Sequence, residues 1–220
     1  MIDLSNYKGV ILDFDGTLSD FQRSKENAKA IITPYLKEKG VLVDEYWSHY
    51  EEIFEPLFSR YVNNELTVTE YRLMRFIHHG ITKEDAIIYN EIYLNEVHKP
   101  ILFDDVIPFL KKIKSRGQKV YILSNGPESQ RPKIEGTKLV NYIDQIFISS
   151  EMGIGKPDIK AYENVISKIE LHPHELVMIG DNYENDCVAA EKAGIKAIQI
   201  IRGENEVKHK TAINSLTELL

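Results

Sequence analysis

Four runs of the chain share one pattern: a short, near-continuous stretch of Val, Ile and Leu that ends in polar residues or glycine. They are GVILDFD (9–15), KVYILSNG (119–126), ELVMIGDN (175–182) and KAIQIIRG (196–203), with a weaker fifth in QIFISS (145–150). Runs apolar at nearly every position predict strands of a parallel sheet covered on both faces. Helical spacing fills the intervals at 105–116, 129–140, 158–169 and 184–193, and Gly117 and Gly194 supply C-terminal stops to two of these helices. From Pro100 onward the alternation is βαβα, which predicts an α/β fold: a Rossmann-like parallel sheet with helices on both faces. Residues 19–99 interrupt it. They hold no convincing strand and carry helical spacing, as in Tyr46, Tyr50, Ile53, Phe54 and Leu57. The expected organisation is a core built from residues 1–18 and 100–220 and an inserted α-helical cap of four or five helices at 19–99, above the strand ends. Pro100 is the expected return hinge.

Composition narrows the field of partners. The 220 residues are 43% hydrophobic and 28% charged, as in ordinary globular domains, and the formal net charge is −7. That balance argues against a nucleic-acid polymer, which needs clustered Lys and Arg, but leaves room for a small anionic ligand. No apolar stretch is long enough to span a membrane, and no basic segment followed by an apolar one marks a signal peptide. The single Cys187 cannot form an internal disulfide, so the expected setting is a reducing cytoplasm. Neither an internal repeat nor a low-complexity tract is visible.

In open α/β sheets ligands bind beyond the carboxyl ends of the strands, and that is where the polar residues collect. The first strand supplies Asp13 and Asp15, the second Ser124 and Asn125, the fourth Asp181 with Asp186 five residues on, and the GIGKPD loop supplies Lys156. Two aspartates two positions apart leave a strand on the same side, where like charges repel. A divalent cation between carboxylates relieves that repulsion, and hard oxygen ligands favour Mg²⁺. Lys156, the Ser124 hydroxyl and main-chain N–H groups would then hold an anionic substrate. Plainer readings stand beside each of these. Asp13 and Asp15 could cap a strand, Ser124 and Asn125 could form a turn, and Lys156 could be a solvated loop lysine. Asp186 could be a first-turn helix acid, and Asp158 is expected to be an N-cap. His78 and His79 lack zinc partners at ligand spacing, Cys187 reads as a small buried residue, and the aromatics of 46–61 read mostly as helix–helix core.

Four segments in order, DFDGT (13–17), Ser124 after an apolar strand, GKPD (155–158) and GDNYEND (180–186), resemble the four motifs of the haloacid dehalogenase-like superfamily. The resemblance covers essentially the whole chain, and the insert after the first motif resembles the helical cap of the phosphatase branch. It implies an Mg²⁺-dependent phosphomonoesterase acting on a small phosphorylated metabolite. Asp13 would be the nucleophile that forms an aspartyl-phosphate, and Asp15 the acid and base. Asp13, the Asp15 main-chain carbonyl and Asp181 would hold Mg²⁺. Ser124, with Asn125, would bind the phosphoryl oxygens; Lys156 would offset charge on Asp13 and the phosphate; Asp186 would orient metal waters or Lys156. Gly16 would permit the turn that brings main-chain N–H groups to the phosphate. The segment 50–76 is similar to the pyrimidine 5′-nucleotidase subgroup, which suggests a nucleoside 5′-monophosphate. Sugar-phosphate or phosphoglycolate phosphatases and a β-phosphoglucomutase-like phosphomutase share the motifs. A dehalogenase would lack the second aspartate, and a phosphoacceptor signalling domain would be shorter, with its aspartate after a later strand.

Overall fold

The computed structural model describes residues 3–203 and 206–220. In chain order β1 (Gly9–Leu12) is followed by four helices, α1 (Phe21–Glu38), α2 (Val43–Val62), α3 (Val68–Met74) and α4 (Lys83–Val97). Then come α5 (Val106–Ser115), β2 (Lys119–Ser124), α6 (Gln130–Glu135), β3 (Gln145–Ile148), α7 (Ser149–Met152) and α8 (Ile159–Lys168). The chain closes with β4 (Leu176–Gly180), a π-helical turn at Tyr183–Val188, α9 (Ala189–Lys192), β5 (Lys196–Ile200) and β6 (Ala212–Ile213). The strands pair in the order β3-β2-β1-β4-β5-β6, every pairing parallel. The chain is therefore α/β, as its apolar runs predict.

Alternation along each strand divides the core between the two faces of the sheet. Val10, Leu12, Val120, Ile122, Val177 and Ile179 enter one apolar cluster, while Ile11, Tyr121, Leu123, Leu176 and Met178 enter the other. With both faces dry, a polar residue inside a strand needs a partner. The interiors of β1, β2 and β4 are without charged or amide side chains, and the buried Gln199 of β5 donates to the Asp181 and Glu206 carbonyls and accepts from Lys208 and His209 N–H. Helix α5 covers the first face with Val106, Phe109, Leu110 and Ile113, a stripe at three- and four-residue spacing. Helix α8 contributes Tyr162 and Val165 to the second, with Ala189 and Ala190 of α9. Each buried Leu or Ile contributes about 1.5–3 kcal/mol relative to exposure.

Three elements differ from their sequence expectation, each for a local reason. The strand expected over 9–15 stops at Leu12, because the Leu18 and Ser19 N–H groups both donate to the Phe14 carbonyl and turn the chain. The helix expected over 129–140 ends at Glu135, and the Thr137 hydroxyl accepts from Leu139 N–H to start a separate 3₁₀ turn at Lys138–Tyr142. The helix expected over 184–193 opens as a wide turn, with Ala189 N–H donating five residues back to the Glu184 carbonyl.

The chain divides into two compact units. One is built from the residues up to Asp20 together with Ile101–Leu220, and contains the sheet; the other is Phe21–Pro100 and contains α1 to α4. The helical unit has its own core of Ala28, Ile32, Leu36, Tyr46, Tyr50, Phe54, Phe76, Tyr89 and Tyr93. Among the described residues no helix is long and apolar enough to cross a membrane.

Candidate active site

Strands β2 and β3 lie on one side of β1, and β4, β5 and β6 on the other, so the order of connection reverses between β1 and β4. Crevices form beyond the carboxyl ends of strands at such a reversal. Asp13 follows β1 directly and Asp181 follows β4, and Asp13 N–H donates to the Ile179 carbonyl at 3.0 Å, which extends the β1–β4 ladder to the first aspartate. Gly16 then turns the chain with φ of +85°, and a Cβ there would stand 2.6 Å from Asp181 Oδ2. Only glycine meets both conditions. The Gly16 N–H itself donates to the Ser19 carbonyl at 2.8 Å, so this residue provides the turn and the clearance, and its own N–H is not directed at a phosphate. Thr17 Oγ1 accepts from Asp181 N–H at 3.0 Å and donates to Asp181 Oδ1 at 3.2 Å, fixing that carboxylate.

Asp13, Asp181 and Asp186 bring one carboxylate oxygen each to within 4.8 Å of one another. Lys156 Nζ donates to Asp13 Oδ1 at 2.7 Å and to Asp186 Oδ1 at 2.6 Å, and its side chain is buried. Burial raises the Asp13 carboxyl well above its usual range; Lys156 opposes this, and the Asp186 and Asp181 charges reinforce it. Asp181 is pushed up to about 7, by burial first and then by Asp186. Burial alone would lower the Lys156 ammonium, but Asp13 and Asp186 outweigh it and hold it protonated. Three carboxyl groups crowd around one ammonium, and each offers an oxygen as a ligand atom. Those residues fit a hard divalent cation.

Asp15 belongs to a different network. Its side chain is not one of the three converging carboxylates. Lys133 Nζ donates to Asp15 Oδ1 at 2.6 Å and to Oδ2 at 2.8 Å, Ser19 Oγ donates to Oδ1 at 2.9 Å, and Gln130 Nε2 donates to Oδ2 at 2.7 Å. The same Gln130 nitrogen donates to Ser124 Oγ at 2.9 Å. Ser124 thus stands beside Asp15 at the end of β2. Gln130 and Lys133 belong to none of the four motifs. Their three-residue spacing on an expected helix places them on one face, and that was the available signal.

The remaining expected residues divide. The Asn125 amide donates to the Lys156 carbonyl at 2.7 Å and accepts from Lys156 N–H at 2.9 Å. It clamps the loop that carries Lys156, where the sequence suggested a phosphate contact. Asp186 accepts from Asn182 N–H at 3.1 Å besides Lys156, and Gly180 lies so close to its side chain that a Cβ would collide. Asp158 caps α8 by accepting from Lys160 N–H at 2.9 Å, and Cys187 is buried in the second apolar cluster. His78 stacks on Tyr46 with centroids 4.2 Å apart, within the helical unit.

Comparison with known proteins agrees with this geometry. A family model described as haloacid dehalogenase-like hydrolase matches residues 7–194. The chain is 33% identical over 125 residues to a phosphoserine phosphatase of Thermus thermophilus, a match spanning 56% of this chain and 50% of that enzyme. It is 26% identical over 200 residues to the pyrimidine 5′-nucleotidase PynA of Streptococcus pneumoniae, covering 87% of this chain and 83% of that one. In fold it is similar to the putative HAD-hydrolase YfnB of Bacillus subtilis, solved bound to magnesium, with a TM-score of 0.76 at 20% identity over 97% of this chain and 96% of that one.

Proposed function

We propose that this chain, which belongs to the haloacid dehalogenase-like hydrolases, is an Mg²⁺-dependent phosphomonoesterase that works through an aspartyl-phosphate on Asp13. The observation that carries the reading is the division of labour between two aspartates two residues apart. Asp13 lies in the acidic cluster with Lys156, and Asp15 is held apart from it by Lys133, Gln130 and Ser19. Asp13, Asp181 and the Asp15 main-chain carbonyl would hold the cation. Once bound, Mg²⁺ neutralises charge on the phosphoryl oxygens.

A free Asp13 carboxylate oxygen forms a bond to phosphorus as the ester P–O bond breaks, and Asp15 gives its proton to the departing alkoxide. Asp15, now a carboxylate, takes a proton from water as the water oxygen attacks the same phosphorus. The bond to Asp13 breaks and inorganic phosphate leaves. The Ser124 hydroxyl donates to a phosphoryl oxygen, and Lys156 balances charge on Asp13. A haloacid substrate releases halide, which needs no proton, so Asp15 favours phosphate ester hydrolysis.

The finer reading is a nucleoside 5′-monophosphate substrate, supported by the likeness to PynA across most of both chains. Sugar phosphates, phosphoglycolate and phosphoryl return to a sugar are the competing outcomes. The test is phosphate release from p-nitrophenyl phosphate with Mg²⁺ and after exhaustive chelation, with thermal unfolding followed in parallel. Activity should require the metal, and Mg²⁺ should raise the melting temperature of the wild type but not of Asp181→Asn. Full turnover after chelation overturns the metal-dependent reading.

A further inference from the structure

We propose that Lys133 and Gln130 of α6 are positioning residues that hold the acid/base Asp15 and set the direction of the Ser124 hydroxyl. The inference rests on the phosphomonoesterase reading and adds two residues to its machinery. The Lys133 side chain is only 4% exposed, and its ammonium is paired with Asp15, itself 25% exposed. A lysine buried to that degree is costly unless paired, so its placement needs a reason. Stability alone is a poor one, because an apolar residue would fill the slot without a desolvation cost. Lys133 reaches both oxygens of Asp15, while Ser19 and Gln130 take one oxygen each. With both oxygens held, the carboxylate has one orientation, and an acid/base must sit within hydrogen-bond reach of the atom it serves.

Gln130 adds a second constraint. In its base form Asp15 only accepts, so the Gln130 amide nitrogen faces it, and its other hydrogen points at Ser124 Oγ. A hydroxyl that already accepts from Gln130 turns its own hydrogen elsewhere; here it meets only the Asn125 carbonyl at 3.5 Å, a long contact that a phosphoryl oxygen would replace. Asp15 and Ser124 are joined through one amide group, so the acid/base and the phosphate donor are held in register. Because Lys133 and Gln130 stand three apart in one short helix, α6 carries the whole arrangement.

The test compares Lys133→Met with Asp15→Asn and with the double variant, using kcat/KM on p-nitrophenyl phosphate and on an alkyl phosphate. This parameter reports steps up to leaving-group departure. Lys133→Met is expected to lose about 100-fold on the alkyl ester, the lower end of general acid–base contributions, and less than about fivefold on the aryl ester, whose leaving group needs little protonation. Added to Asp15→Asn, it should cost less than about threefold more, as coupled residues are non-additive. Gln130→Leu should raise KM for both esters by weakening the Ser124 contact. For Lys133→Met, equal losses on both esters or a full additional loss in the double variant overturn the proposal; for Gln130→Leu, an unchanged KM on both esters overturns it. Melting temperatures identify a variant that fails to fold, and Gln130→Leu then tests the network separately. Failure of the phosphomonoesterase reading itself is distinct, because the wild type would then release no phosphate from either ester.

Discussion

An amide at position 13 keeps the outline of the carboxylate while removing the charge that the proposed attack on phosphorus requires. Asp13→Asn is therefore expected to lose turnover almost completely, by at least about 10³-fold. It should stay folded, because Lys156 keeps Asp186 as a partner at 2.6 Å and one crowded carboxylate is neutralised. Retention of more than a few per cent of wild-type phosphate release, in a preparation free of other phosphatases, would place the nucleophile elsewhere. Asp15 makes a different prediction from the same motif. If it serves as acid, Asp15→Asn loses little kcat/KM on aryl phosphates and about 10²-fold or more on alkyl phosphates. Equal losses on the two esters would remove it from that role. The sequence already held the ingredients at this scale: Asp13, Lys156, Asp181 and Asp186 stand where strand ends and motif order suggest, and they meet in space. It did not hold their connections. An asparagine in a Ser-Asn-Gly turn looks the same whether it faces a phosphate or clamps the Lys156 backbone, and only the fold shows the second.

Elements are legible to the degree that burial repeats along them. Strands β1, β2 and β4 are dry on both faces, so their composition announces them, and α5 shows its stripe plainly. Helix α6 is shorter than expected and faces Asp15 with Gln130 and Lys133, two polar residues that a hydrophobic pattern assigns to solvent. Strand β6 has two residues, too few for any period. The link between the start of α5 and the C-terminal turn was likewise silent in sequence. Asp105 accepts from Arg202 at 2.8 and 2.9 Å, from Ser215 Oγ at 2.8 Å and from Leu216 N–H at 2.9 Å. Burial alone would raise the Asp105 carboxyl, but these bonds outweigh it and hold it below its usual range. A depressed folded value means the stabilisation is complete above the unfolded carboxylate pKa near 3.9 and disappears as pH falls through the folded value. Asp105→Ala should thus cost about 2 kcal/mol at pH 7, in the range for hydrogen bonds to a charged group. The difference between variant and wild type in urea midpoint should hold from pH 7 to about 5 and narrow as pH is lowered from there towards 2. A gap that stays constant with pH would show that the carboxylate charge contributes nothing there.

At the scale of the whole chain, charge and the division of the fold bear on what ester is hydrolysed. As proposed, a site built around Asp13, Asp181 and Lys156 would address a phosphoryl group, which all phosphomonoesters share. Discrimination among them must come from other residues, and the relatives that match this core act on different compounds by name. The net charge of −7 disfavours polyanions over monophosphates, since the field of the molecule repels each added phosphate. Near the start of the helical unit, Phe21–Pro100, the basic residues are Arg23 and Lys25. Lys25 is buried and paired with Glu51 at 2.7 Å, and Arg23 is exposed. The unit's aromatic residues are mostly committed to its own core, as Tyr46, Tyr50 and Phe54 are, while Phe58 and Tyr61 are half-buried and packed with Tyr71, on which Tyr61 stacks with centroids 5.3 Å apart. Aromatic faces suit a nucleobase better than a sugar, because stacking contributes about 1–3 kcal/mol per base where ring and base meet. Nucleoside 5′-monophosphates, pyrimidine above purine, are accordingly expected to exceed sugar bisphosphates and nucleoside triphosphates in kcat/KM. The measurement is a panel of nucleotides, hexose and pentose phosphates, phosphoserine and phosphoglycolate, at fixed Mg²⁺ and ionic strength. If a sugar phosphate, phosphoserine or phosphoglycolate exceeds the best nucleotide tenfold, about 1.4 kcal/mol of transition-state discrimination, the nucleotidase reading fails and the phosphatase reading stands. A preference for triphosphates would instead mean that local cations outweigh the net charge, with Arg23 the first residue to replace.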